Sequence, residues 1–246
     1  MRALAAQTRA ETYMTLRRGE TLLLTIGIPV VFLAFFASVH VIPTGERHPV
    51  AFYAPGILAL AVMSTAMVSL GIATGFERGY GVLKRLGATP LGRPRLLGAK
   101  VLTIVLVELV QAAVLVPVAM GLGWDPAGGG AAGPAALRAL GLVVLGTVAF
   151  GGLGLLMAGR LRAEVNLAAA NGLYLVLLLL GGMVVPVSKL PGLLRSLADA
   201  LPAAALSNGL HASIGAGTGV PLHDWAVLAA WALAAPVAAA LTFRWE

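Results

Sequence analysis

The sequence contains no cysteine. Disulfides and thiolate metal sites are therefore excluded, and the redox compartment is left unmarked. Charge is scarce, at 11% of 246 residues, where a soluble domain carries roughly 25%. Aromatic residues are few, at 6%, and none is interleaved with basic residues as a nucleic-acid groove requires. The net charge of +7 is therefore not read as nucleic-acid binding. Catalytic signatures are missing as well. Lys84, Lys100 and Lys189 are each followed by a residue other than Ser or Thr, so no G-x-x-x-x-G-K-[ST] phosphate loop exists. His40, His48, His211 and His223 form no H-E-x-x-H, and no serine sits in G-x-S-x-G. The chain is expected not to be an enzyme and to hold no metal or cofactor of its own.

What is abundant is apolar length. Hydrophobic residues make up 59% of the chain, too much for one soluble core and suited to lipid as solvent. A bilayer needs about 20 apolar residues in a helix. Five runs reach that length and a sixth is slightly short: Thr21–Ile42, Val50–Gly75, Val101–Leu122, Ala139–Gly159, Val165–Val187 and Trp225–Phe243. Helices satisfy every backbone group in lipid, and no alternating strand pattern suggests a barrel. The expected fold is all-α, with six transmembrane helices in a single domain over residues 1–246. No cleavable leader is evident, so the first run is expected to remain as a helix. Six crossings put both termini on one side. Thirteen of the seventeen Lys and Arg residues then share that side and four the other. The basic-rich side is expected to be cytoplasmic, in a cell (plasma) membrane.

Inside the runs, Pro29, Pro117 and Pro236 each remove a backbone donor; the resulting irregularity serves either a pathway or packing. Gly141, Gly146, Gly151, Gly152 and Gly154 in the fourth run predict close helix approach inside the protomer. Glu108 is the one ionisable residue deep in a run, roughly 12 Å in from Lys100 by helix rise. Such a residue is expensive in lipid and is either functional or paired; Gln111, one turn along, is its expected partner. Ser64, Thr65 and Ser69 in the second run, and Asn166, Asn171 and Tyr174 in the fifth, either line a pathway or bond helix to helix. The candidate substrate pathway is Ser64, Thr65, Ser69, Glu108, Asn171 and Tyr174.

Two segments between runs carry pattern. From Phe76 to Lys100, helical spacing puts Phe76, Tyr80, Val82, Leu83 and Leu86 on one arc and Glu77, Arg78, Lys84 and Arg85 on the other. This predicts an amphipathic surface helix opened by Glu77 and Arg78 and ended before Pro90. Its apolar arc meets either lipid or a cytoplasmic partner. From Ser188 to Asp224, Leu190, Leu193, Leu194, Leu197 and Leu201 recur at helical spacing, and Pro202 starts a second short apolar stretch. Neither piece spans, so an outer re-entrant helical hairpin is expected.

The run GFERGYGVLKRLGATPLGRPRLLGAK at residues 75–100 resembles the cytoplasmic loop of type-2 ABC exporter permeases, approximately E-R-x-x-G-[TV]-L-[KE]-x-L-x-x-[TS]-P. Glu77, Arg78, Gly81, Val82, Leu83, Lys84, Leu86, Thr89 and Pro90 match it. The resemblance, strongest to the daunorubicin/multidrug-resistance-like branch, extends over the whole chain. It implies an interfacial elbow helix at 1–20, a cytoplasmic coupling loop at 76–98 and an outer re-entrant segment at 188–224. It implies ATPase-coupling residues Phe76, Glu77, Arg78, Tyr80, Leu83, Lys84, Arg85, Leu86, Thr89 and Pro90. It also implies a dimer, homo- or heteromeric, with a substrate path at its axis. Each protomer would be bound to a cytoplasmic ATPase subunit, where ATP and magnesium reside. Export of a drug-like or amphipathic molecule follows, with polysaccharide or lipid-linked cargo as an alternative. A channel or intramembrane enzyme is the rival class.

Overall fold

The computed structural model describes residues 2–17, 23–39, 49–87, 93–126 and 131–244. Among these the regular structure is entirely helical. Helix α1 is Arg2–Arg17. A π-helical turn, Leu23–Gly27, leads into α2, Ile28–Ser38. Helices α3 (Pro49–Met63) and α4 (Leu70–Gly79) are joined through a π-helical stretch, Ser64–Ser69, into one rod. Then follow α5 (Val82–Gly87), α6 (Arg93–Gly121), α7 (Ala132–Arg160) and α8 (Ala163–Leu180). Two short helices, α9 (Gly192–Asp199) and α10 (Pro202–Leu210), precede α11 (Leu222–Thr242).

Among the described residues, five helices are long and apolar enough to cross a membrane: Pro49–Gly79, Gly98–Gly121, Ala132–Arg160, Ala163–Leu180 and Leu222–Thr242. The chain is a multi-pass membrane protein. The first expected span is represented by a shorter apolar helix, Thr25–Ser38. Residues 21–22 and 40–42 of that expected run lie outside the described residues. The five long helices alternate in direction, because their basic ends meet. Arg78 at the end of α4 reaches the end of α7, and Lys100 in α6 reaches Glu77.

Several boundaries depart from expectation, the fourth span starting at Ala132 and not Ala139 among them, and two have a local cause. The second span does not stop at Gly75 but continues to Gly79. Glu77 and Arg78 therefore close a helix instead of opening one. Gly81, at φ +69°, sits where a side chain would be strained, and it turns the chain into the separate six-residue α5. The fifth span ends at Leu180, not Val187. Gly182, at φ +68°, breaks it, and Val187 turns back to pack with Ala198 and Ala204.

Helix α7 is the centre, packing most extensively on α11 and also on α4 and α10. Its glycines explain how. A Cβ built on Gly154 would lie 2.6 Å from the Met67 carbonyl oxygen, and one on Gly152 would lie 2.5 Å from the Pro236 nitrogen. Backbone meets backbone at both crossings. Pro236 lies inside α11 and Pro117 inside α6, whereas Pro29 occupies the first turn of α2. Pro236 thus serves packing, being a surface that Gly152 abuts.

At the end away from the basic residues, α9 and α10 form a hairpin. Leu193, Leu194 and Leu197 are exposed while Ala198 is buried, so the leucine arc of α9 faces outward. Helix α10 is buried from Pro202 to Ser207. Trp231 Nε1 donates to the Ala200 carbonyl at 2.9 Å, tying the hairpin to α11.

Gly154→Ala should lower the thermal stability of the detergent-purified protein by about 1–3 kcal/mol, the cost of overpacking. Gly172→Ala, where a Cβ meets nothing within 4 Å, should be neutral or stabilising by about 0.5–1 kcal/mol. Melting followed by size-exclusion chromatography distinguishes the two.

Candidate functional site

At the basic end, α1, α4 and α6 are clasped by one buried cation. Lys100 Nζ, on a side chain 5% exposed, lies 2.6 Å from Glu77 Oε2 and 3.7 Å from Glu11 Oε1. The lysine is taken out of water, which is tolerable only because two carboxylates meet it. Lys100 stood in the sequence only as the end of a loop. Nothing local announces that it reaches two helices remote in sequence.

Arg78 does a second job at this end. Its guanidinium donates to the Gly159 carbonyl at 3.2 Å and to the Leu161 carbonyl. These are end carbonyls of α7, unsatisfied by the helix itself and at the negative end of its dipole. The Arg244 backbone N–H also donates to Gly159, at 3.0 Å. Arg78, Arg160, Arg162 and Arg244 line a cleft of about 550 Å³ together with Phe76 and Tyr80.

The segment α5 is seated by its own chain. Leu83 is fully buried against the equally buried Leu96, with Leu86 and Phe243 packed beside them. Leu83 is therefore not on offer to another subunit. Tyr80, at 71% exposure, together with Val82, Lys84 and Arg85, forms the exposed face. Phe76 is half-buried, its ring 6.1 Å from that of Tyr80. Thr89 and Pro90 lie outside the described residues. The single amphipathic arc expected from Phe76 to Leu86 is not formed, because the turn at Gly81 rotates α5 away from α4. Glu77, implied as a coupling residue, is occupied by Lys100, so reversing its charge would set a cation against that lysine and test the fold.

Of the six candidate pathway residues, only Glu108 lines the largely apolar cavity of about 380 Å³ bounded by α3, α6, α7 and α10. Its carboxylate accepts from Thr147 Oγ1 on α7, not from Gln111. Gln111 is used elsewhere: its Oε1 accepts from Thr65 Oγ1 at 3.1 Å and its Nε2 donates to the Thr25 carbonyl at 2.7 Å. Thr65 belongs to the π-helical stretch, which no periodicity in the sequence signals. Ser64 and Ser69 are half-buried on that same stretch. Asn171 is exposed and donates to Leu167 within α8, and Tyr174 is half-buried against the core. Asn166, fully buried, donates to the Gly71 carbonyl at 2.8 Å and ties α8 to α4. Thr147 and Trp124 were missed. A carboxylate in a span demands a partner, but its own helix does not say which neighbour supplies one. No cluster of His, Asp and Glu among the described residues could hold a metal.

Comparison with known proteins gives two findings. The family model described as "ABC-2 type transporter" matches residues 2–214. A Bacillus subtilis (strain 168) protein named "Putative transport permease YvfS" is 26% identical over 218 residues, covering 85% of this chain and 84% of the relative.

Lys100→Ala should leave two carboxylates facing each other and cost on the order of 3 kcal/mol, as removal of one partner from a buried pair does. Adding Glu77→Ala should recover part of that loss, and a double-mutant cycle of thermal stabilities measures the coupling.

Proposed function

Because the chain belongs to the ABC-2 type transporter family, we propose that it is the permease subunit of an exporter driven by a separate ATPase. In this reading it moves a drug-like or amphipathic molecule out of the cytoplasm, as in the daunorubicin/multidrug-resistance-like branch. The observation that carries the reading is the mounting of α5. The helix is too short to hold itself, yet Leu83 seats it on Leu96, and Glu77, just before it, is tied to Lys100. Its remaining face, Tyr80, Val82, Lys84 and Arg85, is exposed. A rigidly seated element with an aromatic and basic exposed face suits docking to a second protein, since aromatic anchors and charge complementarity mark such contacts.

The basic end is the cytoplasmic end, by the loop-charge rule. Completion of the α2 region to a span makes six crossings with both termini inside. α1 is an interfacial elbow, and the α9–α10 hairpin is re-entrant from the outside. Two permease subunits pair around the path, and ATP and magnesium are held by the ATPases. ATP binding closes the ATPase pair and displaces α5. The clasp at Lys100 carries that displacement to α6 and α1, and the second span moves with it. The switch works only if the nucleotide favours one state over the other.

The triple variant Tyr80→Ala, Lys84→Glu, Arg85→Glu alters the exposed face and leaves Leu83 and Glu77 in place. It should reach the membrane at normal level, retain its melting temperature and fail to co-purify an ATPase. The wild-type chain, stripped of its partner, should hydrolyse no ATP. Normal ATPase capture by the triple variant, or hydrolysis by the purified chain alone, would overturn the reading.

A further inference from the structure

The cavity of about 380 Å³ holds two unpaired polar atoms. Glu108 is 4% exposed, and while its Oε2 accepts from Thr147, its Oε1 has no hydrogen-bond partner. Trp124, also 4% exposed, has no acceptor for its indole Nε1–H. Buried polar atoms in native proteins are overwhelmingly bonded, and each exception asks for a reason. Here two exceptions line one cavity whose other walls are apolar, Leu58, Ala112, Val143 and Leu210 among them. Gln111, the remaining polar side chain in the lining, already bonds at both ends. The volume lies within the roughly 300–1,000 Å³ of small-molecule sites, which are apolar with a few placed polar groups.

The rim indicates how a ligand arrives. Leu109, Leu140 and Val144 line the cavity and are exposed, so the opening lies between α6 and α7 on the outer surface of the bundle, where lipid is the solvent. Along α6, Glu108 and Ala119, whose carbonyl accepts the Trp124 backbone N–H, are about 16 Å apart by helix rise. The backbone anchors of the two unpaired atoms are thus separated along α6, with the apolar lining residues Ala112 and Val116 between them.

We propose that this cavity is a lateral binding site for a hydrophobic amine, with its ammonium on Glu108 Oε1 and its apolar body lying along α6 towards Trp124. An alcohol could satisfy the free oxygen. Only an ammonium brings donor hydrogens together with a compensating charge, and in a low dielectric that charge counts most. The Trp124 ring and Nε1–H close the far end, stacking on or bonding to the ligand's other terminus. The site is lined by residues of one protomer. The proposal deepens the permease reading by naming a ligand class. Binding is measurable without any ATPase, so the two fail separately.

The experiment uses the purified full chain in phosphatidylcholine nanodiscs and a terminal bromododecylamine, whose bromine quenches tryptophan fluorescence. The bromododecanol of equal length reports simple partitioning into lipid. The amine should quench saturably in the wild type. Glu108→Gln should weaken its half-saturation at least about tenfold, equivalent to 1.4 kcal/mol, while leaving quenching by the alcohol unchanged. Trp124→Phe should remove the saturable quenching signal. Ala112→Phe fills the cavity while keeping the Glu108 carboxylate in the chain and should abolish saturation, which keeps the test available if Glu108→Gln does not fold. Unsaturable quenching in the wild type, as would follow if a second copy of the chain covered the opening, would overturn the proposal. So would equal saturation in wild type and Glu108→Gln, or saturation undisturbed by Ala112→Phe.

Discussion

On α7 the side chains that would hold neighbours at the ordinary 8–10 Å separation of packed helices are missing at two crossings. Gly154 lets the backbone at Met67 approach, and Gly152 does the same for Pro236. In lipid there is no hydrophobic force to press helices together, so close van der Waals contact and a few hydrogen bonds must hold them. The second and sixth expected spans are placed by these two contacts, and α8 then follows through the bond from Asn166 to Gly71. Gly75 takes part as well, since a Cβ there would fall 2.6 Å from Asn166 Nδ2.

The amount legible in the sequence followed from what periodicity encodes. Apolar length located the five long helices and the hairpin between the last two. The glycines of the fourth run correctly announced close packing. Errors arose where a local dihedral overrode a pattern. The arc through Phe76, Tyr80, Leu83 and Leu86 assumes 100° per residue throughout, and one left-handed residue, Gly81, cancels the assumption. Val187 was absorbed into a span because it is apolar, yet Gly182 had already turned the chain. Pairings across helices were invisible for another reason. Glu108 had Gln111 as a neighbour on its own helix, but Thr147, 39 residues away, meets it. The side-chain pattern of one helix says which face is polar and never what stands opposite.

The two ends of the bundle are held by different physics. At the basic end the ties are ionic and charge-assisted: Lys100 between two carboxylates, and Arg78 on two carbonyls. At the other end there are hydrogen bonds to backbone, from Trp231 to Ala200 and from Ser213 to Ala135 at 2.8 Å, beside the buried Asp224, which bonds Asn208. The cavity at Glu108 lies between them, where α6 and α7 are joined by the threonine–glutamate bond and little else polar.

The Gly159 carbonyl takes two donors from opposite directions in the chain, the Arg78 guanidinium and the Arg244 backbone N–H. A single oxygen atom is thus a three-way rivet, with α4, α7 and α11 meeting at it. A push arriving along α4 cannot slide past α7 without either shearing this rivet or carrying the tail of α11 along. Residues 243–244 are therefore part of this joint and not a loose end beyond the last helix.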